Sequence, residues 1–210
     1  MELYNLSIKE YNEILSSKSS MPGGGSAASV VASLGASLGL MVLNFTIGKE
    51  KYKEYEDLLN ESINKLEELK IEFINMIEED KVLYENIQNV WTLPKNTEEE
   101  KKIREIEMEK ACKTCNIIPM KIMEKSYNSI EIINDILFKT NANLITDLGD
   151  ASVNLKAAVD GAYLNIIINK KFIKDNEYND EIIKKADNIK EEVNKINDII
   201  YTEVIKYLNK

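Results

Sequence analysis

The stretch from Ser26 to Ile47 limits what this chain can fold into, because it contains no charged side chain. It is long enough to cross a bilayer, and Gly35 with Gly39 matches the small-xxx-small pattern of packed membrane helices. Its many alanine, serine and glycine residues make it only moderately apolar, however, and no second stretch of this kind occurs. Small residues also let helices approach closely inside a soluble bundle. We therefore predict a helix buried at the centre of a soluble protein, with no membrane as partner.

The rest of the chain shows helical periodicity and no convincing strand alternation. Ser7 with Glu10 and Thr97 with Glu100 each predict a capping box at a helix start. The predicted helices cover about 8–15, 26–47, 54–91, 98–116 and, beyond an interruption at Pro119, on towards 139, then 144–170 and 180–209, with 16–25 as a loop and 175–177 as a turn. A chain of 210 residues is long enough for one buried core and short for two. We predict one all-α domain, residues 1–210, built as a multi-helix bundle with a long central helix.

Charge and residue usage exclude several classes of function. With 27 Lys and Arg against 36 Asp and Glu, the formal net charge of −9 argues against nucleic acid as a partner. The chain has no histidine, which excludes His-based triads, His metal ligands and imidazole bases. The two cysteines, Cys112 and Cys115, lack the βαβ unit of a redox motif and the further ligands of a zinc site. We expect two ordinary thiols and no metal.

The first five residues carry neither the basic nor the apolar region of a signal peptide. We therefore expect a cytoplasmic protein.

A carboxylate interrupts the apolar seam of the long helix over 54–91. Its apolar residues recur at alternating spacings of four and three, and this spacing places Asp80 in the seam. An unpaired carboxylate is costly to bury. Asp80 is therefore either a structural residue, satisfied by a helix terminus or a lysine, or a proton-transfer group with a raised pKa. The pattern fits both interpretations equally well.

Polar residues also lie on the apolar faces of two other predicted helices. Asp147, Asn154 and Asn165 share one face with small residues, which fits either a close helix contact or the wall of a ligand cavity. The uncharged helix adds the face that begins at Ser26. Buried polar groups need partners, and three helices that each offer such groups favour a buried site.

A glycine-rich segment, Pro22-Gly23-Gly24-Gly25-Ser26, precedes the uncharged helix. Glycines leave backbone N–H groups uncovered, and we predict that Ser26 caps the helix, whose amino terminus attracts anions. No strand precedes the segment, so it is neither a Walker loop nor a dinucleotide-binding turn. By itself it is equally well explained as a flexible turn.

The longer pattern is more specific. The segment Pro22–Ser26, with the Ala/Ser/Gly-rich helix and then Asn44-Phe45-Thr46-Ile47-Gly48-Lys49, resembles the formiminotransferase-cyclodeaminase carboxy-terminal domain family, which includes stand-alone methenyltetrahydrofolate cyclohydrolases. Three later segments resemble its motifs in the right order: Asp80 with Tyr84, Leu93-Pro94-Lys95-Asn96-Thr97, and Asp147 followed by Gly161-Ala162-Tyr163-Leu164-Asn165. The resemblance covers about residues 5 to 205. Departures occur at Ser19-Ser20-Met21 and Val153-Asn154, and the formiminotransferase half is absent.

The resemblance implies an enzyme of one-carbon tetrahydrofolate chemistry. A cyclohydrolase opens 5,10-methenyltetrahydrofolate with water to 10-formyltetrahydrofolate, whereas a cyclodeaminase closes the ring of 5-formiminotetrahydrofolate and releases ammonia. Both need proton transfer, and neither implies a metal or a cofactor beyond the folate substrate. The resemblance assigns the catalytic role to Asp80. It also implies a homodimer, for which the uncharged helix is a candidate interface.

Further substrate contacts are expected around this carboxylate. We expect Gly23, Gly24, Gly25 and Ser26 to hold an anionic or polar part of the folate. We expect Asp147, Asn154 and Asn165 to hydrogen-bond the pterin edge, and Lys49 or Lys95 to bind the glutamate tail. The alternative function is a non-catalytic helical bundle that binds a protein partner.

Overall fold

The computed structural model describes residues 2–210, and within this range it contains α-helices, short 3₁₀ helices and no β-strand. The α-helices are α1 (Ile8–Leu15), α2 (Gly24–Asn44), α3 (Glu56–Trp91), α4 (Glu98–Cys115), α5 (Ile117–Ile136), α6 (Ile145–Lys170) and α7 (Asn176–Leu208). The 3₁₀ helices are Leu3–Asn5, Glu50–Tyr55 and Ala142–Leu144. The prediction of an all-α, multi-helix fold is confirmed.

Local sequence signals fix several helix boundaries. Both predicted capping boxes are present: the side chain of Ser7 accepts from the Glu10 N–H and that of Thr97 from the Glu100 N–H, while each glutamate accepts from the cap residue. Pro119 lies in the first turn of α5, where its missing N–H costs no helical hydrogen bond. The predicted break there is therefore a boundary between two helices.

Two predicted boundaries are wrong. α7 begins at Asn176 rather than near 180, because Asp175 accepts a hydrogen bond from the Tyr178 N–H and so caps the helix where a turn was expected. α2 begins at Gly24 with Gly23 as its cap residue, so Ser26 lies inside the helix and is not its cap.

The uncharged helix α2 lies at the centre of the bundle, packed against α3, α6 and α5. Close packing depends on its glycines. A Cβ atom at Gly35 would lie 2.8 Å from Leu155 Cγ, and one at Gly39 would lie 2.5 Å from Ile133 Cδ1. Of the described helices, α2 is the one long and apolar enough to span a membrane. Its glycine and alanine side lies in the core of this fold, which explains the absence of charge on that side without a membrane.

Both long neighbours of α2 run antiparallel to it. On α3, Asp80 lies beside Gly25 and Leu66 beside Gly39; on α6, Asn165 lies beside Gly24 and Leu155 beside Gly35. The amino terminus of α2 is therefore the place where α3 and α6 each deliver a polar side chain. This arrangement positions the candidate site.

Candidate active site

The centre of the site is the Asp80 carboxylate at the start of α2. The Ser26 backbone N–H donates to Asp80 Oδ2 at 2.9 Å, from a position 54 residues away along the chain. The first N–H groups of a helix have no partner within the helix and carry the positive end of its dipole. Asp80 thus satisfies one of these donors of α2, which is the role that we expected of the Ser26 side chain.

Gly25 makes this approach possible. A Cβ atom at this position would lie 2.3 Å from Asp80 Oδ1 and 2.7 Å from its Cγ, which is closer than atoms can approach. The carboxyl group therefore occupies the volume that any other side chain at 25 would fill. The glycine segment was expected to expose backbone to a ligand; at Gly25 it also admits Asp80.

Burial raises the pKa of Asp80 from 3.8 to about 6, and the hydrogen bond from the Ser26 N–H partly offsets this rise. No charged side chain contributes to the shift. The predicted raised pKa is confirmed, and the partner of Asp80 is a helix terminus rather than a lysine. Asp80 is thus structurally satisfied, and a pKa of about 6 suits the proton-transfer role, which stays a prediction.

Two other protonatable side chains lie near Asp80. The Tyr11 hydroxyl group and Ser26 Oγ are 3.0 Å apart, within hydrogen-bond distance. Burial raises the pKa of Tyr11, and the charge of Asp80 raises it further. From α4, Cys115 donates its thiol hydrogen to the Leu83 carbonyl oxygen at 3.1 Å, and burial raises its pKa to about 12. Sequence reasoning missed Tyr11, because nothing in its local pattern links α1 to α2.

Both cysteines behave as the structural thiols that we predicted. They are free and buried, and burial also raises the pKa of Cys112, to about 11. Thiols with such pKa values stay protonated at neutral pH and are poor nucleophiles and metal ligands. Among residues 2–210, no group of three or more Cys, Asp or Glu side chains is arranged to hold a metal ion.

Asn165 is the polar residue that α6 brings to the site. Its amide group lies against Gly24, where a Cβ atom would be 3.4 Å from Asn165 Nδ2, and that nitrogen donates to the Gly161 carbonyl oxygen at 2.8 Å. Asp80, the glycine segment and Asn165 therefore converge at one end of the bundle.

Asp147 and Lys49 do not join this group within one chain. Asp147 precedes Asn165 by about five helical turns, or 27 Å, along α6. Lys49 follows the carboxy-terminal end of α2, which is about 30 Å from its amino terminus. Asn154 lies part of the way along α6 and donates to its own helix at the Asp150 carbonyl oxygen. One pterin ring cannot contact all three predicted α6 residues in a single chain.

Lys95 lies in a separate surface hollow at the same end of the molecule as Asp80. Its hollow is lined by two further cations, Lys101 and Arg104, by one carboxylate, Glu105, and by the exposed rings of Trp91 and Phe172. Trp91 follows Asp80 on α3 by about 16 Å. Of the two lysines predicted to bind a glutamate tail, Lys95 is therefore the one on the side of the site.

Comparison with known proteins supports one family over nearly the whole chain. The family model described as formiminotransferase-cyclodeaminase matches residues 7–188. The methenyltetrahydrofolate cyclohydrolase of Methylorubrum extorquens is 33% identical over 98% of this chain and 99% of its own. The formimidoyltransferase-cyclodeaminase of Gallus gallus is 30% identical over 83% of this chain, which spans only 32% of that longer protein.

A solved structure shares the fold. The crystal structure of formiminotetrahydrofolate cyclodeaminase from Thermotoga maritima superposes with a TM-score of 0.82 over 99% of this chain and 98% of the other, at 24% identity. The two molecules therefore share one fold. With its family model, its full-length relative and the convergence of Asp80, Gly25 and Asn165, the chain belongs to the formiminotransferase-cyclodeaminase family.

Proposed function

We propose that this chain is a one-carbon tetrahydrofolate enzyme, acting as methenyltetrahydrofolate cyclohydrolase or as formimidoyltetrahydrofolate cyclodeaminase. The observation that carries the proposal is the Asp80 carboxyl group, buried at the start of α2 with a pKa of about 6. The full-length relative whose name is methenyltetrahydrofolate cyclohydrolase supports it.

The two reactions share a tetrahedral carbon between N5 and N10 of the folate. In the cyclohydrolase reaction, water adds to the methenyl carbon, and the bond from that carbon to N5 then breaks. In the cyclodeaminase reaction, N10 adds to the formimino carbon, and the bond from that carbon to the departing ammonia breaks. In the cyclohydrolase reaction the water loses both of its protons, of which one reaches N5 and the other is released. In the cyclodeaminase reaction one proton leaves N10 and one reaches the departing ammonia.

Asp80 can serve both proton transfers. As a carboxylate it accepts the proton of the attacking water or N10, and as a carboxylic acid it returns a proton to N5 or to the departing ammonia. A pKa near the working pH keeps both forms populated. The apolar surroundings that raise this pKa also strengthen its interaction with a cationic methenyl group.

The substrate would lie beside the glycine segment, next to Asp80 and Asn165. Free N–H groups of the first turn of α2, at Gly24 and Gly25, suit a polar or anionic part of the ligand. Asn165 offers an amide to the pterin edge, and the hollow around Lys95 offers cations and rings to the tail. Asp147 and Lys49 reach this substrate only if a second copy of the chain brings them there.

The proposal includes a soluble, cytoplasmic homodimer. α2 and α6, which pack against each other, leave large apolar side chains exposed: Leu34 is 52% exposed, Val153 41% and Leu164 66%. Exposed apolar surface of this kind is typical of subunit interfaces.

A side-by-side assay of the two substrates tests the function. We expect purified protein to consume 5,10-methenyltetrahydrofolate faster than buffer, or to release ammonia from 5-formiminotetrahydrofolate. Asp80→Asn keeps the hydrogen bond from the Ser26 N–H but cannot exchange a proton, so we expect it to lose turnover by a factor of at least about 100 while still binding folate. Full activity of this variant would contradict the role of Asp80. No turnover of either substrate by the wild-type protein would favour the non-catalytic, partner-binding alternative.

A further inference from the structure

Residues 2–22, which we call the amino-terminal strap, pass around Asp80 and touch its surroundings at three points. The Leu3 N–H donates to Glu78 Oε2 at 2.8 Å, two residues before Asp80 on α3. The Tyr11 hydroxyl group pairs with Ser26 Oγ, and the Ser20 hydroxyl group accepts a hydrogen bond from Gln88. The strap is therefore hydrogen-bonded to α2 at one point and to α3 at two points, one before and one after Asp80.

Tyr11 is the contact through which α1 reaches the site. No residue of α1 is fully buried. Within the described part of the chain, Tyr11 supplies the one side-chain hydrogen bond from α1 to another helix. A short, exposed helix is marginally stable alone and depends on contacts with the rest of the protein to hold its position. The Tyr11–Ser26 pair, together with the partly buried Ile14 and Leu15, holds α1 in this position.

Within residues 2–210, no cation contributes to the pKa shift of Asp80. The Ser26 N–H of α2 bonds its carboxyl group, and the charge of Asp80 raises the pKa of the Tyr11 phenol on α1 and of the Cys115 thiol on α4. The burial that disfavours the ionised form of Asp80 therefore depends on what covers the carboxyl group and not on a neighbouring charge. Tyr11 is half-buried and is the one aromatic side chain among these groups.

We propose that Tyr11 is a positioning residue for Asp80. Its ring shields the carboxyl group from water, and its hydroxyl group holds Ser26, whose backbone N–H bonds the same carboxyl group. Tyr11 thus sets both the solvation and the partner of Asp80 without touching the reacting atoms. The effect of Tyr11 on kcat rests on the proposed function, whereas its effect on the pKa of Asp80 does not.

The decisive test follows the protonation of Asp80 directly. Carboxyl ¹³C NMR titration, with the Asp80 signal identified by its loss in Asp80→Asn, reports the pKa without turnover. We expect Tyr11→Ala to raise the acid dissociation constant of Asp80 at least about tenfold, because water reaches the carboxylate. Tyr11→Phe keeps the ring and should retain most of the raised pKa. Tyr201→Ala, at an exposed tyrosine of α7, is the matched control and should leave it unchanged.

The kinetic test separates positioning from general loss of structure. In Tyr11→Ala, the acid limb of the pH–kcat profile should move to lower pH together with the NMR midpoint, and Tyr11→Phe should restore its position. A loosened fold would lower kcat without moving this limb. If Tyr11→Ala does not fold, Tyr11→Ser, which also removes the ring, is titrated under the same criterion. An unchanged Asp80 titration in the folded alanine or serine variant would overturn the proposal. An inactive wild-type protein would overturn the proposed function but leave the titration to decide the role of Tyr11.

Discussion

Two opposed effects act on the ionisation of Asp80. Burial disfavours its ionised form, and the backbone N–H at the start of α2 favours it. A carboxyl group held in this way is suited to proton transfer but is costly to the fold whenever it is ionised, because the unfolded chain ionises more easily. Replacing Asp80, the residue that we propose to be catalytic, should therefore increase the free energy of unfolding.

Asp80→Asn should stabilise the protein at neutral pH and have little effect at pH 4. The pKa of Asp80 is about 6 when folded, above the value of 3.8 expected unfolded. The wild-type protein therefore loses stability as pH rises from about 4 to above 6, and the asparagine variant does not. We expect a gain of about 1–3 kcal/mol in the free energy of unfolding at pH 7.5.

Urea unfolding at pH 4 and pH 7.5 measures this difference. Asp198→Asn, at an exposed position of α7, is the matched control and should show no such pH dependence. An equal effect of Asp80→Asn at both pH values would show that the carboxyl group is not held with a raised pKa.

Gly25→Ala should inactivate the enzyme while leaving it folded. The new methyl group would take the place of Asp80 Oδ1, so the carboxyl group must swing away from the Ser26 N–H. Because a short side chain has few other positions, we expect kcat to fall at least about tenfold, a loss of roughly 1.4 kcal/mol of transition-state stabilisation. Gly149→Ala is the control, since its Cβ atom would make an ordinary 3.5 Å contact with Val204. Steady-state kinetics with circular dichroism checks both variants, and an active Gly25→Ala would refute the steric argument.

At the scale of the helix, what could be predicted from sequence follows the range of the interactions. The caps at Ser7 and Thr97 are local, so their residues specify them completely. The start of α2 is set by Asp80 from another helix, and no local pattern reveals a partner 54 residues away. A shared helix face predicts that side chains point the same way, but it does not predict that they lie close together. Asp147 and Asn165 lie on one face of α6 and are about 27 Å apart along it.

The hollow between α3 and α4 yields a prediction about the glutamate tail. Lys95→Ala should raise KM for a polyglutamylated substrate several-fold more than for the monoglutamate, because it removes a cation from the hollow that also holds Lys101 and Arg104. The effect should weaken with added salt. Lys49→Ala is the matched control, since Lys49 lies at the far end of α2, and it should change neither KM. A loss of tail affinity in Lys49→Ala would show that a second copy brings Lys49 to the site.

At the scale of the whole molecule, the uncharged helix has two sides with different roles. Its glycine and alanine side packs against α3 and α6 and is fully explained by the fold of one chain. Its other side keeps Leu34 more than half exposed, beside an α6 that exposes Val153 and Leu164. The absence of charge on this outer side has no explanation within one chain. Contact with a second copy through α2 would explain it.

Leu34→Glu should therefore separate the proposed dimer. In an interface with two-fold symmetry each substitution occurs twice, so two carboxylates would be buried in one apolar contact. We expect the dimer dissociation constant to rise at least about 100-fold, which corresponds to roughly 3 kcal/mol. Sedimentation velocity across a concentration series measures it, with Ile71→Glu, at an equally exposed apolar position of α3, as the matched control. Monomeric wild-type protein at micromolar concentration, or a Leu34→Glu variant that stays dimeric, would place the interface elsewhere or exclude it.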